Sequence, residues 1–179
     1  RRFSFIESIK LGPNMRVIAI VQARLGSIRL PEKVLQNICD KPLIELLLAR
    51  LSNSTQVDEI IVATSKEPKN DKSLGFKCTR GSEEDVLHRF HESAKEMDAD
   101  VVVRITGDCP LIDPLIVDQC INQFKESNVD YFSNIDPATF PDGLDVEVMT
   151  FKALEQANIE AISLYDREHV TTYIRNSEN

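Results

Sequence analysis

The sequence predicts an α/β domain whose mostly parallel sheet is flanked by helices, and three observations carry that expectation. Continuous apolar, β-branched runs recur at residues 16–21 (RVIAIV), 59–64 (EIIVAT) and 100–105 (DVVVRI). This is the pattern of strands covered on both faces. Helix-period stretches separate them, and a β-α-β-α-β order implies parallel pairing with right-handed crossovers. The chain has 179 residues, the length of one domain able to bury its own core.

Each element has a local reason. Pro42 opens a helix to about Leu51, with Leu43, Ile44, Leu47, Leu48 and Leu51 at helical period. A short strand is expected at 76–79. Ser82, followed by Glu83, Glu84 and Asp85, reads as a capping-box start for a helix that buries Val86, Phe90, Ala94 and Met97. Asp113 with Pro114 behind it caps the next helix, which buries Val117, Cys120, Ile121 and Phe124. Strands are expected at 131–133 and 144–149; LDVEVM alternates, so one of its faces should meet solvent or a ligand. Thr150 caps a helix to about Ile162, and a last helix is expected at 166–174.

Composition narrows function. Hydrophobic residues make up 42% and charged residues 28% of the chain, ordinary for a folded domain. Lys and Arg number 21 against 29 Asp and Glu, a formal charge of −8. That balance argues against nucleic-acid binding and against a polybasic membrane surface. No apolar run reaches the roughly 20 residues of a membrane span. Residues 1–14 lack a signal-peptide core and read as a tag, linker or N-terminal extension. Cysteines at 39, 78, 109 and 120 show no CxxC or Cys/His ligand spacing, so a reduced, cytoplasmic chain is expected.

Ligands of such sheets bind beyond the carboxyl ends of the strands, so the segments after strands are the candidates. The loop after the first strand, QARLGSIRLPEK, holds Arg24, Arg29 and Lys33 within ten residues, with Gly26 for a tight turn and Ser27 as a donor. Such cations and backbone amides suit a polyphosphate; the alternative is a solvated basic loop. Walker A and GxGxxG patterns are absent. After the fourth strand, RITGDCP places Asp108 in a tight turn. There it can hold Mg2+ or satisfy turn amides. Arg80, Gly81 and Ser82 precede a helix N-terminus, whose free amides suit an anion or a polar base edge. PDGLDVE gathers Asp142, Asp145 and Glu147, the last two on one strand face; they could hold sugar hydroxyls, help place a metal, or simply be solvated.

VQARLGSIRLPEKVL resembles the signature of the cytidylyltransferases that make CMP-activated sugars. The likeness continues through DKPLIELLLARL, DEIIVATS, RGSEEDVLHRF, ADVVVRITGDCPLIDP, FPDGLDVEV and REHVTTYI. It is greatest toward the spore coat polysaccharide biosynthesis protein F branch, which is related to CMP-3-deoxy-manno-octulosonate synthetase. The resemblance implies a Rossmann-like nucleotide-diphospho-sugar transferase fold over residues 15–179. It implies CMP transfer from CTP to an acidic or phosphorylated sugar, with pyrophosphate released. It assigns Mg2+ to Asp108 and the leaving phosphates to Arg24, Arg29 and Lys33, making Arg24, Lys33 and Asp108 the catalytic set. The nucleotide would also meet Ala23, Gly26, Ser27, Arg80, Gly81, Ser82, Thr106 and Gly107. The acceptor would meet Asp142, Asp145, Glu147 and His169, although His169 could equally be structural.

Three departures accompany the likeness. Glu32 stands where relatives commonly carry Gly. KNDKSLGF is short where relatives carry a helix. A TVDTPEDL-like block, whose Asp supplies a second metal ligand in relatives, is absent, so a domain without its C-terminal segment is expected. The alternatives are a non-catalytic nucleotide- or sugar-binding fragment and a transferase using another NTP. The resemblance and the exposed face expected of the LDVEV hairpin leave room for a homodimer.

Overall fold

The computed structural model describes residues 14–23, 33–65 and 76–177. Its strands are β1 (Val17–Ala23), β2 (Asn37–Ile38), β3 (Lys41–Pro42), β4 (Glu59–Ser65), β5 (Lys77–Gly81), β6 (Val101–Thr106), β7 (Tyr131–Ser133) and β8 (Glu147–Thr150). Its helices are α1 (Leu43–Leu51), α2 (Val86–Glu96), α3 (Pro114–Ser127), α4 (Phe151–Glu160), α5 (Leu164–His169) and α6 (Thr172–Ser177).

Six strands form one sheet in the order β5-β4-β1-β6-β8-β7. The β5–β4, β4–β1 and β1–β6 pairs are parallel, and β8 runs antiparallel to both β6 and β7. The mostly parallel α/β sheet expected from the sequence is therefore present. The order of pairing turns at β1, with β4 and β5 on one side and β6 on the other. That reversal makes the carboxyl ends of β1 and β6 the switch point where open α/β sheets bind ligands.

The apolar runs are continuous because both sheet faces are covered. Val17, Ala19 and Val21 pack with Leu47, Leu48 and Leu51 of α1 and with Val117, Ile121 and Phe124 of α3. Ile18 and Ile20 point the other way, onto Leu87 and Phe90 of α2 and Leu154 and Ala157 of α4. Alternate side chains of one strand thus feed two core layers.

Helix starts follow the expected chemistry with one correction. The Asp113 carboxylate accepts from the Leu115 amide at 2.9 Å, with Pro114 opening α3. Thr150 Oγ1 accepts from the Ala153 amide at 3.1 Å. Ser82, however, does not cap α2. Its hydroxyl accepts from the Asp85 amide at 3.0 Å, and Asp85 is the N-cap, accepting from the His88 amide at 3.0 Å. Ser82 instead organises the turn that leads into the helix.

Two further expectations change at the C-terminal side. The strand expected at 144–149 is regular only over Glu147–Thr150, and all four of its residues are buried. Pairing on both edges and helices on both faces leave it no solvent face. The single helix expected at 166–174 is two, α5 and α6, broken at Val170, which has φ 61° and ψ −58°. The Thr171 amide donates to the His169 carbonyl across this γ-turn. Positive φ is rare for a β-branched residue, and here it accompanies full burial of the Val170 side chain. Among the described residues no helix is long and apolar enough to cross a membrane. The four cysteines form no disulfide.

Candidate active site at the carboxyl ends of β1 and β6

The switch point is closed by a backbone contact. The Gly107 amide donates to the Gln22 carbonyl at 2.9 Å, one residue beyond the Gln22–Thr106 pairing of β1 with β6. A Cβ on residue 107 would collide with that carbonyl oxygen. Glycine is therefore required by close approach of two backbones. Thr106 Oγ1 lies 3.0 Å from Cys109 Sγ and tightens the turn that follows β6. Asp108 is held at its tip.

Lys33 Nζ donates to Asp108 Oδ2 at 2.9 Å. The two residues lie 75 positions apart, and their side chains are 41% and 46% exposed. The contact is therefore open to a competing ligand. Burial alone would raise the Asp108 pKa, but the hydrogen bond and charge of Lys33 outweigh it and hold the carboxyl below its ordinary value. Lys33 begins a short 3-10 turn, Lys33–Leu35, anchored by the buried Val34. Ala23 ends β1 and is buried. Arg24, Gly26, Ser27 and Arg29 lie outside the described residues, as does Glu32.

Acids gather opposite. Burial raises the Asp145 pKa first, and Asp142, Glu147 and Asp108 add to the rise while Arg104 opposes it. The Cys109 thiol is likewise pushed up by burial and then by Asp108, Asp145 and Asp142, against a hydrogen bond with Thr106. Asp108, Asp142 and Asp145 thus share one electrostatic neighbourhood. Within it Asp145 is pushed up by burial and by its acidic neighbours, whereas Lys33 keeps Asp108 low.

Glu147 does not belong to that open set. It is 3% exposed, and its carboxylate accepts from Arg104, from Tyr131 Oη at 2.7 Å and from Thr171 Oγ1 at 2.6 Å. Burial pushes its pKa up, but Arg104 and the hydroxyl donors overcome this and hold it below the ordinary value. Its expected contact with an acceptor is corrected: near-complete burial and three protein donors engage the carboxylate. Arg104, which the sequence reading gave no role, is the cation that Glu147 holds, and its Nη2 also approaches Gln22 Oε1 at 3.4 Å. The register pairing Arg104 with Glu147 across β6 and β8 produces this contact.

Arg80 and Gly81 end β5 beside the end of β4, Ser82 follows, and Arg80 donates to the Ser65 carbonyl at 3.1 Å. Beneath them runs the buried Arg89 side chain, whose guanidinium donates to the Ser82 carbonyl. A Cβ on residue 81 would meet Arg89 Cγ at 2.8 Å. His169 is exposed at the end of α5, its ring 4.3 Å from that of Tyr165. The interactions described for its ring are with Tyr165 and Asp166 of its own helix.

The sequence matches the cytidylyltransferase family over residues 18–179. Uncharacterized protein MJ1063 of Methanocaldococcus jannaschii is 43% identical over 171 residues, covering 92% of this chain and 69% of that protein. Spore coat polysaccharide biosynthesis protein SpsF of Bacillus subtilis is 34% identical over 171 residues, covering 89% of this chain and 70% of SpsF. The solved structure of a cytidylyltransferase from Leptospira borgpetersenii superposes with a TM-score of 0.86 at 34% identity, covering 92% of this chain and 73% of that one. A sheet reversing at β1, a cation and a carboxylate joined at its carboxyl edge, and a family match across nearly the whole chain agree: this chain belongs to the cytidylyltransferase family and is a nucleotidyltransferase.

Proposed function

We propose that this chain transfers CMP from CTP to an acidic or phosphorylated sugar, releasing pyrophosphate, as a step in making a cell-surface or spore coat polysaccharide. The observation that carries the reading is the pairing of Lys33 with Asp108 at the switch point. A nucleotide triphosphate and its divalent cation would each replace one partner: phosphate oxygens for Lys33, the metal for Asp108. Lys33 then holds the β- and γ-phosphates as a point charge, joined by Arg24 and Arg29. Asp108, with Asp142 and Asp145 nearby, would hold the metal, Mg2+, which when bound neutralises charge on the phosphates. A sugar hydroxyl oxygen forms a bond to the α-phosphorus. The bond from that phosphorus to the bridging oxygen breaks, pyrophosphate leaves, and the hydroxyl proton passes to solvent.

The backbone of Gly107 seats the nucleotide against β1, and Arg80, Gly81 and Ser82 line its base or ribose. Catalysis rests on positioning and electrostatics rather than on a covalent intermediate. Four cysteines without a disulfide fit a reducing cytoplasm. The test is a pyrophosphate-release assay with four NTPs, Mg2+ and a panel of acidic sugars. CTP should be preferred, and Asp108→Asn should lower turnover by about 10^2-fold or more, the scale of losing one preorganised electrostatic contact. Undiminished turnover in D108N would remove Asp108 from the reaction. CTP binding without pyrophosphate release would select a binding module instead.

A further inference from the structure

We propose that His88, His91 and Glu92 on α2 form a second metal site, built for a zinc-like transition-metal ion and separate from the carboxylates near Asp108. One ligand atom from each of the three lies within 4.8 Å of the other two, the group that stands out among the described residues. Their spacing of i, i+3 and i+4 puts them on one face of the helix. The chain has three histidines, and two are here.

The His91 ring is already placed as a ligand would be. It is 6% exposed, and it is flanked by the rings of Phe151 at 5.5 Å and His88 at 6.4 Å. Nδ1 lies 3.1 Å from Glu92 Oε1, close to the separation of about 3.3 Å between ligands of a tetrahedral ion with bonds near 2.0–2.1 Å. Nε2 is buried without a hydrogen-bond partner. The nearest carboxylate to it is Glu155 Oε1 of α4, at 3.8 Å. Closing that gap gives Nε2–H to Glu155 and leaves the Nδ1 lone pair for the ion. A carboxylate behind a ligating histidine is the recurrent support of such sites. His88 and Glu92 are exposed, so an ion can enter from solvent and keep water as its fourth ligand. Two imidazoles with one carboxylate suit zinc, copper or nickel, whereas Mg2+ prefers all-oxygen shells. The bound ion would tie α2 to α4 through Glu155.

Calorimetric titration of the reduced chain with Zn2+ in excess Mg2+ tests this. One equivalent should bind and raise the melting temperature. The exposed variants His88→Asn and Glu92→Gln, which spare the core, should abolish both effects. Glu155→Gln should weaken binding about 10–100-fold, while His169→Asn and Cys39→Ser should leave it unchanged. No zinc binding by the parent chain, or binding that His88→Asn retains, overturns the site.

Discussion

Replacing Glu147 by Gln should destabilise the domain far more than an isosteric change of one atom implies. The Arg104 and Glu147 side chains are 15% and 4% exposed. Removing the charge leaves a guanidinium in the protein interior without its carboxylate. Breaking a buried pair in this way costs about 3–5 kcal/mol. Arg104 retains slight solvent access and a 3.4 Å approach to Gln22 Oε1, which places the expected loss near the lower end, about 3 kcal/mol. For a domain of this size each kcal/mol moves the melting temperature by about 2–4 °C, so a fall of roughly 6–12 °C is expected. Calorimetry and urea unfolding would measure it. The effect also has a pH signature. The folded pKa of Glu147 lies below the ordinary value of 4.5. Its stabilisation is therefore complete above that value and is lost as pH falls through the folded pKa, so the gap between parent and variant should narrow in acid. The double change Arg104→Met with Glu147→Leu should recover much of the loss, because it strands no charge. A fall of less than about 2 °C in Glu147→Gln would refute the brace.

Three other perturbations test the frame around the site. Gly107→Ala drives a Cβ into the Gln22 carbonyl; it should cost at least about 1–3 kcal/mol and erase any CTP-induced thermal shift, both read by calorimetry. Asp118 accepts from the Thr55 amide at 3.0 Å, Thr55 Oγ1 at 2.7 Å and the Gln56 amide at 3.2 Å. Asp118→Ala should cost about 1–3 kcal/mol. Burial raises the Asp118 pKa, but its hydroxyl and amide donors hold it below the ordinary 3.8, so urea unfolding in strong acid should show a smaller difference from the parent than at neutral pH. Arg167 forks onto Asp85 at 2.9 and 2.7 Å and onto the Asn158 carbonyl at 2.7 Å; Arg167→Met should speed amide exchange at the start of α2 by freeing its N-cap, with a loss of about 1–3 kcal/mol.

The central strands were legible because burial on both faces writes itself as β-branched runs, and β1, β4 and β6 lie within one or two residues of expectation. Asp113 and Thr150 were legible as caps because each is the one oxygen-bearing side chain in its position. Ser82 was not, since three acids follow it and sequence cannot say which carboxylate meets the first amides. Glu147 was misread for a different reason. Alternation in LDVEVM signals an outward face only when one side of the strand is uncovered, and β8 lies between two partners with helices above and below. Its partner Arg104 stood in plain view within the RITGDCP segment, but pairing across 43 residues belongs to the sheet register. Lys33 and Asp108 were each singled out from local chemistry. Their direct contact was not visible in the sequence, since it depends on β1 and β6 being neighbours. The histidine pair on α2 is not legible as a ligand set, because i, i+3 spacing is also that of any residues sharing one helix face.

β8 sits between β6 and β7 although it follows both in the chain, and this sets a timetable for synthesis. A nascent chain ending before residue 147 has a parallel sheet with β6 as an open edge and β7 with no strand to join. Arg104 is then a cation without its carboxylate, and Thr171, a further donor to that carboxylate, emerges later still. Domains tend to fold as units once enough chain has emerged. Here the sheet closes only after residue 147 has emerged, so an interrupted translation product would carry the turn after β6 yet lack the strand that joins β6 to β7.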